Sequence, residues 1–351
     1  MTNIEYKIKW HFKHKRSKKR ALKILKTIES YRGKTNLKLI KQSNEYAKEA
    51  LGDKRYAPWI YVYCAMQNRF KEGWIPDDYY KKEVVPRQKG DYGSLADRNF
   101  VAPLLFKTVD TLNVGYFLNG MFCTSENKIL PFDKVKSYLF EEYDKLVYKL
   151  ENSKQGKGVF VLEKNSFNTT NFLSKASGNG VFQKFIKQHD FFSQFTANSV
   201  ATIRITTASD KKGLVSTRAA YVRFGREKDR HILSNSAISV PMDINTGELN
   251  AVGYMKWKEL KMHPDSKISF KDKVIPNFGK CKSKVLEMHG SIPFMGCIGW
   301  DMAVDKFGEA QLIEWNGNNN GIKFSEATTG PCFKGLGWEK LWKENYHPHK
   351  D

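Results

Sequence analysis

Two short runs near the C-terminus constrain this chain most: Gly299-Trp300-Asp301-Met302-Ala303-Val304 and Leu312-Ile313-Glu314-Trp315-Asn316-Gly317. They read as two strands joined by a tight turn at Asp305-Lys306-Phe307-Gly308. With those four residues as the loop, Val304 pairs with Glu309 and Asp301 falls opposite Leu312. Directly opposed residues of an antiparallel pair share a face, and so do residues two apart on one strand. Asp301, Glu314 and Asn316 therefore come to one face. Three oxygen donors on rigid strands, two of them anionic, suit Mg2+ held together with the phosphates of a nucleotide. The same pattern also fits a half-buried hairpin whose polar residues line its wet side.

At 351 residues and 40% hydrophobic content the chain is long and apolar enough for two or three subdomains around sizeable cores. No run of about eighteen apolar residues offers a transmembrane helix, and the N-terminus shows no secretory signal. The five cysteines, Cys64, Cys123, Cys281, Cys297 and Cys332, form no CxxC pair. That is the usage of a reduced, cytoplasmic protein without structural zinc. Net charge is +22 and unevenly spread: residues 1–42 carry 14 Lys or Arg against 2 Asp or Glu. Such a segment favours an anionic partner, and it could hold the chain peripherally at the inner face of the membrane. It also fits a solubilising helical arm. Nucleic acid is disfavoured as the main partner, because no helix-turn-helix, finger spacing or aromatic stacking motif accompanies the basic run.

Residues 5–50 read as helical, broken at Tyr31-Arg32-Gly33. The aromatic run Tyr56 to Phe70 reads as core, and 76–95, rich in charge, Pro and Gly, as a connection. A helix is expected from Leu95 to about Phe106, then strands near 113–118 and 121–124 around an Asn119-Gly120 turn. Further on come a helix at Pro131–Tyr143, strands Leu146–Leu150 and Val159–Glu163, and a helical stretch at 167–176. Val181–Ile186, Val200–Thr207, Ser216–Phe224 and Ile238–Asp243 read as strands. Residues 255–280 look irregular, 281–290 helical, and Gly335–Lys343 a closing helix. The organisation that follows is a basic helical N-terminal arm (1–55), an N-terminal α/β region (56–130), a central subdomain (131–190) and a C-terminal subdomain (191–351).

Three further patterns bear on chemistry. Between two strands lies Glu151-Asn152-Ser153-Lys154-Gln155-Gly156-Lys157-Gly158, with Lys149 on the strand before it. Its glycines let backbone N–H groups approach an oxyanion, and its lysines add charge. A strand follows rather than a helix, and GxxxxGK[ST] is absent, so this is no P-loop. Arg204 stands within the apolar strand Val200-Ala201-Thr202-Ile203-Arg204-Ile205-Thr206, and Arg218 and Arg223 recur on the next. A guanidinium in a strand interior wants a carboxylate or a phosphate, so structural salt bridges and an anion site both fit. The histidines show no metal spacing and no nucleophile elbow, which leaves a Ser-His-Asp or Cys-His hydrolase without support. The eight Trp read as packing residues.

A helix opened by Asp97-Arg98, a basic strand before a Gly-Lys-Gly loop, a linker strand, an Arg-bearing strand and then Asp…Glu-x-Asn: this order resembles the ATP-grasp superfamily. Thr202-Ile203-Arg204-Ile205, Ser234-Asn235-Ser236-Ala237-Ile238 and Asp243-Ile244-Asn245-Thr246-Gly247 are similar to the sugar-transfer-associated group, linked to bacterial surface polysaccharides. The resemblance spans roughly residues 70–340 and implies an α+β fold in which two α+β subdomains clasp ATP. It implies that Asp301, Glu314 and Asn316 bind Mg2+, that Lys149 and Arg98 anchor the phosphates, and that Gly156, Lys157 and Gly158 form a lid loop. Arg98 stands where most members have Lys and keeps the charge. Gln183-Lys184-Phe185-Ile186 would pass the adenine edge, with Lys184 where an acidic residue is common. Asp190 would reach the ribose, and Arg204 the γ-phosphate and an acyl phosphate. Asn235, Arg218 and Arg223 fall on the acceptor side, where Ala237-Ile238 replaces the group's usual Gly-Gly.

The activity implied is an ATP- and Mg2+-dependent ligase that joins a carboxylate, carried by a uronic acid of a capsular polysaccharide or lipopolysaccharide, to a small-molecule amine. Two other readings stay open: a kinase on a sugar or lipid-linked hydroxyl, and a basic nucleic-acid- or membrane-binding protein without ATP turnover.

Overall fold

The computed structural model describes residues 3–106, 111–151, 158–175, 178–229, 232–233, 235–318 and 320–344. The basic N-terminus forms one long helix, α1 (Asn3–Arg32), ended by Gly33 at φ +87°. A second helix, α2 (Leu37–Glu49), starts at Asn36, whose side chain accepts a hydrogen bond from the Lys38 N–H at 2.8 Å. The aromatic run becomes α3 (Ala57–Gln67), opened by Pro58 and buried on nearly every side. The second half of α1 is docked: Ala21, Ile24, Leu25 and Ile28, at helical spacing, are buried in the same core as α3.

The stretch expected as a connection is instead a chain of short helical turns, Asp77–Tyr79, Tyr80–Val84, Val85–Lys89 and Gly90–Asp97. Tyr79, Tyr80 and Val84 are buried in the same core. Tyr80–Val84 is π-helical and runs without a break into Val85–Lys89, so Pro86 sits where the turn widens, and tertiary burial overrides the loop-like composition. Residues 99–105 also form short turns rather than a regular helix.

Among the described residues, six antiparallel strands form a first sheet: β1 (Asn113–Leu118), β2 (Met121–Thr124), β3 (Ile129–Leu130), β4 (Lys145–Leu150), β5 (Val159–Glu163) and β6 (Gly180–Lys184). Their order is β3-β2-β1-β6-β4-β5. Asn119 and Gly120, both at positive φ, make the tight β1–β2 turn as expected. Phe117, Phe122, Tyr148, Phe172 and Phe182 form the core behind this sheet.

A second, seven-stranded antiparallel sheet has the order β11-β10-β9-β8-β7-β12-β13. It contains β7 (Thr202–Ser209), β8 (Val215–Phe224), β9 (Ile238–Pro241), β10 (Gly253–Met255), β11 (Lys258–Leu260), β12 (Cys297–Val304) and β13 (Ala310–Asn316). The short β10–β11 hairpin lies within a stretch expected to be irregular. One face packs Ile203, Ile205, Val222, Trp300, Met302 and Trp315 with the helix Phe278–Gly290. Truncating a fully buried Trp such as Trp300 to Ala costs about 3–5 kcal/mol. On the opposite face, Ala208, Ala219 and Cys297 join the N-terminal helical core. The polar alternates of β7, β8, β12 and β13 occupy the rest of that face.

The hairpin register differs from the expectation. Val304 pairs with Ala310 rather than Glu309, because Asp305 opens a five-residue loop and closes it with bonds to the Glu309 backbone. The pairing Met302–Leu312 is followed by a bulge at Ile313, and Asp301 then lies opposite Glu314 rather than Leu312. Each one-residue slip moves a strand's side chains to the other face. Two slips in the same strand cancel, so Asp301, Glu314 and Asn316 still share a face.

Candidate active site

Four directly opposed residues cross the second sheet in one row: Tyr221 on β8, Arg204 on β7, Asp301 on β12 and Glu314 on β13. Arg204 grips Asp301 with two bonds, Nε to Oδ1 at 2.5 Å and Nη2 to Oδ2 at 2.8 Å. Arg223, two residues along β8 from Tyr221, places Nη2 at 2.9 Å from Asp301 Oδ1. Asp301 is 1% exposed and Arg204 8%. Burial works against both charges, but the two guanidiniums hold the Asp301 carboxyl well below the usual carboxylate range. The Asp301 charge in turn raises Arg204 further.

Glu314 behaves differently. Its side chain is exposed, yet dense protein surrounds its carboxylate, the situation of a group on the floor of an open cleft. Burial and the Asp301 charge raise its pKa, with Arg204 and Lys149 opposing. Asn316 Nδ2 lies 3.4 Å from Glu314 Oε1. From the first sheet, Lys149 on β4 reaches across to the Ile313 carbonyl at 3.4 Å. Burial lowers its pKa, and Glu314 and Asp301 oppose that shift. The cleft between the sheets thus gathers three cations and two carboxylates.

Of the other residues singled out in the sequence, Arg98 sits at the cleft end of β4, with Nη1 at 3.1 Å from Glu151 Oε2. Gly158 closes the β4–β5 hairpin, its carbonyl accepting from Leu150 N–H at 2.8 Å. Gly156 and Lys157 lie outside the described residues. Gln183 and Lys184 are paired within the sheet on both sides, so their backbones are not the free edge expected for adenine. Only Phe185 and Ile186, past the end of β6, remain for that role. The buried Gln183 side chain donates to Asn113 Oδ1 at 2.7 Å, and its Oε1 has no partner among the described residues. Lys184 lies over the Tyr143 ring. Asp190 is exposed in the first turn of a short helix beside the hairpin loop. Arg218 does not join the cluster: its Nε and Nη2 donate to the carbonyls of Cys332 at 2.8 Å and Lys334 at 2.7 Å. Asn235 is exposed in the loop before β9.

Asn320, Tyr80 and Lys89 adjoin this cluster and were not singled out in the sequence. The Asn320 carbonyl accepts from Arg204 Nη1 at 3.3 Å. Its side-chain oxygen accepts from Lys89 Nζ at 3.1 Å and from the Tyr80 hydroxyl, and its amide donates to Cys297 Sγ at 3.2 Å. Burial lowers the Lys89 pKa to about 8. The Asn-rich run at 316–320 was the one available signal; Tyr80 and Lys89 gave none, lying in a segment read as connection.

Mg2+ and a nucleotide can be tested against these residues. Among the described residues no three His, Cys, Asp or Glu cluster as a metal cage. Two carboxylates and an amide instead suit a hard cation whose other ligands come from phosphates. Arg223 Nε and Gln183 Oε1, both buried without a partner among the described residues, are an unused donor and acceptor in this region. The residues therefore fit the pair. The free space between Asn113, Gln183 and Glu314 is only about 30 Å³, room for water but not for an adenine ring. A larger hollow of about 390 Å³ lies against α1 and shares none of these residues; chemistry, not volume, places the site in the cleft.

Two antiparallel sheets thus face each other across a cation-lined cleft. Residues 165–336, just under half of the chain, match the sugar-transfer associated ATP-grasp family, which the chain resembles. No curated protein sequence matches the chain. Among solved structures, N5-carboxyaminoimidazole ribonucleotide synthetase from Thermotoga maritima is similar at 12% identity and TM-score 0.40, covering 78% of this chain and 56% of that one. A biotin carboxylase from Campylobacter jejuni gives 12% and 0.40, covering 81% and 50%. N5-carboxyaminoimidazole synthetase from Staphylococcus aureus, complexed with ADP, gives 12% and 0.40, covering 65% and 46%. The chain spans about half the length of these structures.

Proposed function

We propose that the chain is an ATP- and Mg2+-dependent carboxylate–amine ligase. The observation that carries this reading is the row Arg204–Asp301–Glu314, with Arg223 beside it and Lys149 arriving from the opposite sheet. A carboxylate is a poor electrophile until its oxygen is phosphorylated, and an acyl phosphate can then be attacked by an amine. Arg204, Arg223 and Lys149 neutralise charge on the transferred phosphoryl group, and Arg98 steadies the phosphates at the end of β4. Asp301, Glu314 and Asn316 hold Mg2+, which supplies Lewis-acid neutralisation of phosphate charge when bound. The backbone of Phe185–Ile186 and Gln183 Oε1 take the adenine edge, and Asp190 the ribose. The loop containing Gly156, Lys157 and Gly158 excludes water from the acyl phosphate. Asn235 faces the acceptor, and the sheets part to admit the nucleotide.

The family resemblance supports a carboxylated sugar or glycan of a capsular polysaccharide or lipopolysaccharide as one substrate and a small amine as the other. The cationic outer surface of α1 supports a contact with an anionic glycan or an anionic membrane surface on the cytoplasmic side. No helix among the described residues is long and apolar enough to cross a membrane.

The test is incubation with ATP, Mg2+ and paired panels of uronic acids and amines, read by ADP release and mass spectrometry. An amide product formed only when both acceptors are present supports the ligase, and Glu314→Gln lowers the rate at least 100-fold. A phosphorylated sugar made without any amine identifies a kinase instead. Absence of ADP formation and of nucleotide binding removes the enzymatic reading.

A further inference from the structure

The hollow against α1 is separate from the cleft and unused by the proposed chemistry. At about 390 Å³ it is of small-molecule size. Its floor is Tyr56 and Asp78, each 5% exposed. His14 spans floor and wall: Nδ1 lies 2.9 Å from Asp78 Oδ2, and its ring sits edge-on to Tyr56. That contact fixes the imidazole, which lines the hollow. Trp10 forms one wall, one helical turn before His14. His11, Asp53, Arg55 and Lys82 line the rest.

The lining chemistry is specific. Only one wall is a broad aromatic plane, so the hollow is not a slot for a flat base held on both faces. The remaining walls alternate donors and acceptors: Arg55 and Lys82 donate, Asp53 and Asp78 accept, and the Tyr56 hydroxyl, which accepts from Lys82 Nζ at 3.3 Å, keeps its own proton to donate. A pyranose matches that division, with its C–H face on an indole and its hydroxyls, each donor and acceptor at once, toward the polar side. The surrounding field is positive. Lys13, which stands over the Trp10 ring at 4.8 Å, has Lys9 and Lys81 as like-charged neighbours, and burial with that repulsion lowers its pKa. Asp53 is paired with Arg55, Lys81 with Asp77 at 2.7 Å and Lys82 with Glu83 at 2.9 Å, so the excess positive charge beside the hollow comes from Lys9 and Lys13 on α1. A ligand with negative charge gains from this field.

We propose that the hollow between α1 and the helical turns at 53–56 and 78–82 is a binding site for an anionic monosaccharide unit, a sugar bearing a phosphate or a carboxylate. This holds whatever reaction the cleft performs.

The test uses the full chain and isothermal titration calorimetry with glucose 6-phosphate, glucuronate, glucose and inorganic phosphate. Glucose 6-phosphate or glucuronate binds saturably, at least tenfold tighter than glucose and than inorganic phosphate, and the preferred one tells phosphate from carboxylate. Trp10→Ala and Arg55→Ala each weaken that binding at least tenfold. Arg55 is largely exposed and Trp10 lies outside the hydrophobic cores, so circular dichroism should show both variants folded. Glu314→Gln, in the cleft, leaves the affinity unchanged. The proposal is overturned if neither anionic sugar binds, if inorganic phosphate binds as tightly, if both α1-side variants bind normally, or if Glu314→Gln alone abolishes binding.

Discussion

At the residue scale, Asp301 is the pivot of the cleft, and its surroundings impose an order on binding. Both carboxylate oxygens are taken, Oδ1 by Arg204 and Arg223 and Oδ2 by Arg204. A divalent cation arriving alone meets two guanidiniums and a ligand already bonded. In the proposed reaction, phosphates would give those guanidiniums another partner and free Asp301 for the metal. Mn2+ without nucleotide is therefore expected to bind at least tenfold more weakly than Mn2+ with ADP, a difference of about 1.4 kcal/mol or more. Electron paramagnetic resonance titration reads this directly, and equal affinities in the two arms would remove the ordering. Gly299, two residues before Asp301, is the second sensitive point. A Cβ there would stand 2.7 Å from Asn320 Cβ and 3.2 Å from Arg204 Nη1. Gly299→Ala should cost about 1–3 kcal/mol of stability and lower ADP formation by displacing Arg204. A urea titration checks the first effect, and an unchanged midpoint would count against it. Asp301, Glu314 and Asn316 were legible because alternation along a strand is local. Tyr221, Asn320, Tyr80 and Lys89 were not, because only pairing between distant strands and turns brings them together.

At the element scale, the bulge at Ile313 does two things for the hairpin. It sets Glu314 opposite Asp301, and it frees a carbonyl from the ladder that lies within reach of Lys149 at 3.4 Å. The two effects separate in a deletion. Without Ile313, Leu312 still pairs with Met302 and Glu314 with Asp301, now in regular register, so the protein folds. The carbonyl that positions Lys149 is gone, and the KM for ATP should rise about tenfold, the equivalent of about 1.4 kcal/mol, with circular dichroism unchanged. An unaltered KM would show that Lys149 is held by other contacts. The sequence reading reached the right face through a wrong register. Turn length and bulge position depend on backbone bonds such as Asp305 N–H to the Glu309 carbonyl, which composition does not display. Residues 76–95 failed for the opposite reason: Pro and Gly suggest a loop, and burial of Tyr79, Tyr80 and Val84 makes them helical turns.

At the scale of the whole molecule, the N-terminal helical layer is tied to the segment that follows the second sheet through Glu326, in the short helix Lys323–Thr328. Its Oε2 accepts from Ile75 N–H at 2.9 Å and its Oε1 from Cys332 N–H at 2.8 Å, while its own carbonyl accepts from Trp74 Nε1 at 3.1 Å. Burial raises its pKa from 4.5 to about 7, although the two backbone N–H groups pull the other way. The folded state therefore holds the proton more tightly than the unfolded chain does. The stabilisation is fully present below pH 4.5 and is lost as pH rises through about 7. At about 1.4 kcal/mol per unit, the contribution is on the order of 3 kcal/mol. His289, pushed down to about 4 by burial, acts in the opposite direction over the same range, so the readout is the difference between wild type and variant. In urea unfolding at pH 5 and pH 8 the wild type should lose more stability, or gain less, toward pH 8 than Glu326→Gln, which carries a fixed cost of about 1–3 kcal/mol because one amide oxygen cannot serve both N–H groups as well as two carboxylate oxygens do. A Gln variant with the same pH slope as the wild type would place the proton elsewhere in the fold.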